Sequence, residues 1–114
     1  MGSQYTVALV GKVLDALNLR QITTAQNIAN ANSAHYVPKD VSFEASLARA
    51  AAEGPDAVRR FSAEVTARPF NTDQQELRLD LEMQTASATA QRYSALSDLL
   101  GREMEIQRLA TRGQ

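Results

Sequence analysis

The chain has no cysteine and no tryptophan, only three prolines and five glycines, and a single histidine among its 114 residues. Each shortage removes a class of chemistry. Without cysteine there are no disulfides, no thiolate metal sites and no thiol nucleophile. The lone histidine, His35, stands in "NSAHYVP" with neither a cysteine nor a paired carboxylate beside it, so neither a metal site nor a catalytic dyad is expected there. No glycine-rich phosphate loop occurs, and Ser33 and Ser42 lack the strand-turn-helix setting of a nucleophile elbow. The expectation is a non-enzymatic protein with no catalytic residues, no cofactor and no metal.

An excess of one charge is missing too. Twelve basic and thirteen acidic residues leave a net charge of -1, so there is no electrostatic footprint for nucleic acid or for an anionic membrane. No apolar run approaches the roughly 18 to 20 residues that span a bilayer, and no basic region followed by an apolar one opens the sequence. A cleavable signal peptide is therefore not expected.

What is present is helical pattern. Hydrophobic residues make up 44% of the chain, with only three Phe and three Tyr, so alanine and leucine dominate and helix-on-helix packing is favoured over a thick mixed core. From Tyr5 to Ala31, Val7, Val10, Leu14 and Leu17 recur at steps of three and four with Ile28 in the same register, which predicts one helix of about 25 residues. Leu19, Ile22, Ala25 and Ala29 form an adjacent stripe, wider than a two-stranded seam requires, so this helix wants more than one neighbour. It closes on "AQNIANANSAHY", where Asn27, Asn30 and Asn32 supply the turn and cap chemistry that ends a helix in a specified geometry.

The middle is less regular. Val37 before Pro38 is pushed toward an extended conformation. Ser42 can then cap a short helix over "FEASLARAAAE", with Glu44 in its first turn, Phe43 and Leu47 as a small apolar face, and Gly54-Pro55 as its stop. Phe61, Ala63, Val65 and Ala67 alternate with polar residues up to Pro69, and Leu77, Leu79 and Leu81 alternate again, the pattern of short strands. A second long helix is expected from about Asp80 to Thr111, continuous through Gly101, on Met83, Ala86, Ala90, Tyr93, Ser97, Leu100 and Met104. Leu96, Leu99, Ile106 and Leu109 widen its stripe. Asp80, Glu82, Glu103 and Glu105 read as first-turn or solvated carboxylates, and Arg78, Arg92, Arg102 and Arg108 as solvated surface.

The expected fold is mainly α. Two long terminal helices pack as an antiparallel coiled-coil-like pair, around an irregular middle region with a short helix and at most a small β ribbon. Residues 1–32 form the first helix, 33–79 the connector and middle region, and 80–114 the second helix, all as one structural unit. Two helices with such wide apolar faces leave part of each stripe in water, and the economical remedy is other copies or other chains.

Two segments carry a resemblance. "LNLRQITTAQNIANANSAHYVPKDVSFEASL" resembles the N-terminal signature of the flagellar basal-body rod proteins: Asn27, Ile28, Ala29, Asn30, Ala31 and Asn32, then Tyr36, Asp40, Val41 and Phe43. "LRLDLEMQTASATAQRYSALSDLLGREMEIQRLA" is similar to the family's C-terminal segment through Asp80, Glu82, Met83, Arg92, Tyr93, Leu96, Leu99 and Leu100. The spacing to "DVSF" and the short middle are most like the family's proximal-rod members. Two departures stand out. The family's Thr-Pro-Gly before the tyrosine is Ser33, Ala34 and His35 here, without the glycine that eases a left-handed turn, and Arg78 replaces an acidic residue.

The resemblance implies a structural subunit of the bacterial flagellar basal body, polymerising through its terminal helices into the periplasmic rod, the drive shaft of motility. It implies export by the flagellar type III pathway without a cleaved signal. The implied partners are other rod subunits, the inner-membrane ring or adaptor at the rod base, and the export apparatus, with no nucleic acid and no small-molecule substrate. Heterologous, non-closing contacts would give a helical assembly. The residues expected at subunit contacts are Leu17, Asn27, Ile28, Asn30, Asn32, Tyr36, Phe43, Tyr93, Leu96, Leu99, Leu100 and Met104, the amides fixing the angle at which the chain leaves the packed helices. The alternative reading is a helical adaptor whose apolar face docks one partner helix.

Overall fold

The computed structural model describes residues 2–68 and 75–113. In chain order these form α1 (Gly2–Ala29), β1 (Lys39–Ser42), α2 (Glu44–Glu53), α3 (Pro55–Arg60), β2 (Glu64–Ala67) and α4 (Gln75–Arg112). The two long terminal helices pack against each other. Their direction follows from what they touch: Asn27 near the end of α1 bonds Glu82 near the start of α4, and Leu96 further along α4 packs on the cluster of Ala16 and Leu17. The pair is antiparallel. The molecule measures 62 × 26 × 15 Å, and α4, with 38 residues, spans most of the long dimension at about 1.5 Å per residue.

Helix α1 is the central element. The middle region and α4 both pack against it, so its wide apolar face finds two neighbours within the chain. Ala16, Leu17, Val41, Phe43 and Leu47 form the buried core, surrounded by Leu9, Val13, Leu19, Phe61, Ala63 and Leu96. Phe43 and Leu47 thus serve as the expected inner face of α2.

The middle region is more ordered than its sequence pattern suggests. β1 and β2 pair antiparallel, with Lys39 opposite Ala67 and Val41 opposite Val65. Val41 is buried on the core and Val65 is left exposed, because β2 is the outer strand of the ribbon. Ser42 does not cap α2: it belongs to β1, the N-cap is Phe43, and no side chain closes the cap. Glu44 Oε1 instead accepts the Phe43 N–H at 3.3 Å. The stop at Gly54 is real, with φ at 126° and its N–H on the Ala50 carbonyl. Pro55 also starts a second short helix, α3, since proline fits the first helical position where no intrahelical N–H bond is needed.

Two boundaries differ from expectation. α4 begins at Gln75 rather than near Asp80, so the leucine alternation at Leu77, Leu79 and Leu81 falls within a helix and not a strand. The stretch from Pro69 toward that helix lies outside the described residues. The first helix ends at Ala29, and the turn after it keeps a left-handed residue at His35, with φ at 66°.

Candidate functional site

Three segments converge on the side chain of Asn27: the turn after α1, β1 and α4. Asn27 is buried, and its amide is fully occupied within the chain. Nδ2 donates to the Lys39 carbonyl at 2.8 Å and to Glu82 Oε2 at 3.1 Å, while Oδ1 accepts from the Tyr36 hydroxyl and the Lys39 N–H, each at 3.0 Å. A primary amide has two donors and two acceptor sites, so nothing is left for another molecule. Glu82 is 4% exposed, and its Oε1 lies 2.5 Å from Arg68 Nη2, an ion pair outside hydrogen-bond angles. Arg68 also grips Asp40 through Nε and Nη2 at 2.5 to 3.2 Å. Asp40 first, then Glu82, raises the Arg68 guanidinium above its ordinary range, against partial burial. This clasp fastens the end of α1, both ribbon strands and the start of α4.

A second junction centres on Glu44. Arg20 of α1 donates to both its oxygens, at 2.8 and 3.0 Å, and twice to the Val41 carbonyl, while its guanidinium sits 4.8 Å from the Phe43 ring centroid. Arg92 of α4 reaches Glu44 Oε2 at 3.1 Å. Arg20 foremost holds the Glu44 carboxyl at about 2 instead of 4.5; partial burial opposes this, and Arg92 adds to it. Asp40, Glu44 and Glu82 therefore each face an arginine, an arrangement suited to holding elements together rather than to moving protons. Among the described residues, no three His, Asp or Glu side chains gather as metal ligands, and no helix is long and apolar enough to cross a membrane.

The residues expected at subunit contacts divide in two. Leu17, Asn27 and Phe43 are buried inside the chain, and Ile28, Asn30, Tyr36, Leu96 and Leu100 are half-buried. Asn30 is used locally, donating to the Gln26 carbonyl at 2.9 Å and accepting from the Ser33 hydroxyl at 3.2 Å. Asn32, Tyr93, Leu99 and Met104 stay at the surface. Asn27, expected to bond across a subunit contact, has its amide occupied inside the chain, and Glu82, expected as a first-turn or solvated carboxylate, is buried.

The residues expected at subunit contacts leave out others that the surface displays. Leu81, Met83, Ile106 and Leu109 of α4 are between 50% and 60% exposed. The available signal was the heptad offset by one position from the inner face, running through Leu81, Ala88, Ala95, Leu99 and Ile106. Beside it, a groove of about 410 Å³ lies between α1 and α4, lined by Leu17, Asn18, Gln21, Thr89, Ala90, Tyr93, Ser94, Ser97 and Asp98.

Fold and surface together define an elongated helical scaffold, braced by arginine–carboxylate junctions, that presents apolar residues along its longest helix. No protein-family model matches the chain, and no curated protein matches it significantly.

Proposed function

We propose that this chain is a structural subunit of a bacterial flagellar basal-body rod, of the proximal-rod type, that polymerises through its terminal helices and performs no reaction. The observation that carries the reading is the display of Leu81, Leu99, Ile106 and Leu109 in water along α4, on a chain whose two terminal segments resemble the rod signature. A monomer rarely leaves so much apolar surface in one row unless something covers it. Partners on this reading are other rod subunits, the inner-membrane ring or adaptor at the rod base, and the export apparatus. Load-bearing is consistent with an interior fastened by charge pairs to both long helices.

The test is to isolate basal bodies from cells carrying an epitope-tagged copy as their only copy. The subunit should co-purify with the rod, and its deletion should abolish rods and swimming. Absence of the tagged chain from intact rods would refute the proposal. The second reading, an adaptor for one helix, draws on the groove between α1 and α4. Sedimentation across concentration separates the two: open-ended growth supports a rod subunit, a closed complex of fixed size the adaptor.

A further inference from the structure

The β ribbon has one sealed edge and one open edge. Lys39 stands opposite Ala67 and Val41 opposite Val65, and the Arg68 N–H donates to the Pro38 carbonyl at 2.8 Å. Opposed residues in an antiparallel ladder alternate between bonding each other and turning their N–H and C=O outward. Pro38 with Arg68, Asp40 with Thr66 and Ser42 with Glu64 therefore bond across the ribbon, while Lys39, Val41, Val65 and Ala67 turn outward. On the β1 side, α1 stands in for a third strand: Asn27 accepts from the Lys39 N–H and donates to its carbonyl, and Arg20 donates to the Val41 carbonyl. On the β2 side, no group among the described residues meets the outward N–H and C=O of Val65 and Ala67. Every residue of β2 is exposed.

We propose that β2 takes a second copy of this chain along its open edge, antiparallel and centred on Thr66, so that the two ribbons join into one sheet. An open strand edge is a template for added backbone, and β2 is complementary to itself in this register. Val65 falls opposite Ala67 of the second copy and Ala67 opposite its Val65, so the outward N–H and C=O groups of both strands bond each other. Thr66 meets Thr66 at the two-fold axis, and Glu64 meets Arg68 at each end, both favourable cross-strand pairs. These pairs are of the non-bonded kind, whose side chains approach most closely. Glu64 meets no basic group among the described residues, and Arg68 spends Nε and Nη2 on Asp40 and Glu82, which leaves Nη1 for it. Sliding the strands by two residues sets Arg68 opposite Ser62 or Thr66, and the charge pair is lost. A ladder this short makes a transient pair. Two copies complete it, so it adds nothing to an assembly whose subunits all point one way. It belongs to the free chain and stands apart from the α4 surface and from the rod reading.

The chain has no cysteine of its own, so a disulfide between copies reports which positions meet. Thr66→Cys and Val65→Cys are made in the full-length chain and oxidised with copper phenanthroline. Residues opposed at a non-bonded pair lie about 4.5 Å apart at Cα, within the span of a disulfide, so Thr66→Cys should form dimers at least tenfold faster than Val65→Cys. Adding Ala67→Pro should slow the Thr66→Cys dimer at least tenfold while the thermal melt is kept, because that N–H points outward and plays no part in the ribbon. Adding Glu64→Arg, which sets arginine against Arg68, should slow it at least threefold at low salt. Adding Leu99→Ala should leave the rate unchanged. Equal rates at 65 and 66 would overturn the proposal, as would a Thr66→Cys rate untouched by Ala67→Pro or by Glu64→Arg; should Ala67→Pro disturb the melt, Glu64→Arg decides alone. Loss of the dimer with Leu99→Ala would also overturn it, since α4 would then be bringing the copies together. Ala67→Pro removes the pair from the sedimentation comparison of rod subunit and adaptor, so the two proposals fail separately.

Discussion

Replacing Asn27 with alanine removes the hub of the clasp, and its effect on stability can be worked from the bonds it makes. The four hydrogen bonds of its amide are worth on the order of 1 kcal/mol each, somewhat more for the one to a carboxylate. Two losses are softened, because the half-buried Tyr36 hydroxyl can turn to water and Glu82 keeps Arg68. Alanine is also the better helix former by roughly 0.6 kcal/mol. The net loss should be about 3 kcal/mol, enough to lower the melting temperature by at least about 10 °C in a domain of this size. Asn30→Ala is the internal control: its bonds are local and half-exposed, so it should change stability by less than about 1 kcal/mol. Urea unfolding followed by circular dichroism measures both. Equal effects for the two variants, or a loss below about 1 kcal/mol for Asn27→Ala, would refute the assignment of Asn27 as the hub.

Four further perturbations test other parts of the structure. His35→Gly should stabilise the chain by about 0.5 to 1 kcal/mol in thermal melts, since a left-handed conformation costs an L-residue roughly 1 to 2 kcal/mol and glycine returns part of that through its freer unfolded state. Glu44 has its folded-state carboxyl lowered from 4.5 to about 2, so its contribution is complete above the upper value and is lost as pH falls through the window between them. Half of its side chain is exposed, so the effect is small, and the stability gap between the native chain and Glu44→Gln should narrow in urea titrations from pH 6 to pH 2. Leu17→Ala should cost about 2 to 5 kcal/mol in unfolding experiments because Leu17 is fully buried. Leu99→Ala, with its side chain largely in water, should leave monomer stability within about 0.5 kcal/mol while weakening assembly in sedimentation.

The long helices were legible because Val7, Val10, Leu14 and Leu17 repeat at helical steps, and α2 was legible through Phe43, Leu47 and the glycine after it. The Phe61 to Ala67 alternation gave the outer strand of the ribbon. α3 escaped because Gly54-Pro55 serves as a stop and a start at once, and periodicity reads only the first. The place of Glu82 escaped for a deeper reason. A hydrophobic pattern places no carboxylate inside, whereas here Glu82 is buried, and its partner Asn27 stands 55 positions away in the sequence. Asn27 itself stood out as an amide in an unusual place, but its role depends on the Lys39 backbone and the Tyr36 hydroxyl, which only the folded turn brings near.

The unequal lengths of the terminal helices have a mechanical consequence. Counting from the contact between Asn27 and Glu82 at equal rise, the first residue of α1 lies abreast of about Gln107, and α4 runs on to Arg112. α4 is thus a cantilever, clamped by the Asn27 junction and by Leu96 on the core, with a tip that carries Leu109 beyond its support. A force applied near Leu109 acts far from both clamps and bends the helix most where it leaves them. Twist or tension applied at the tip is delivered to the clamped third of the helix, where the arginine junctions spread it into α1 and the ribbon.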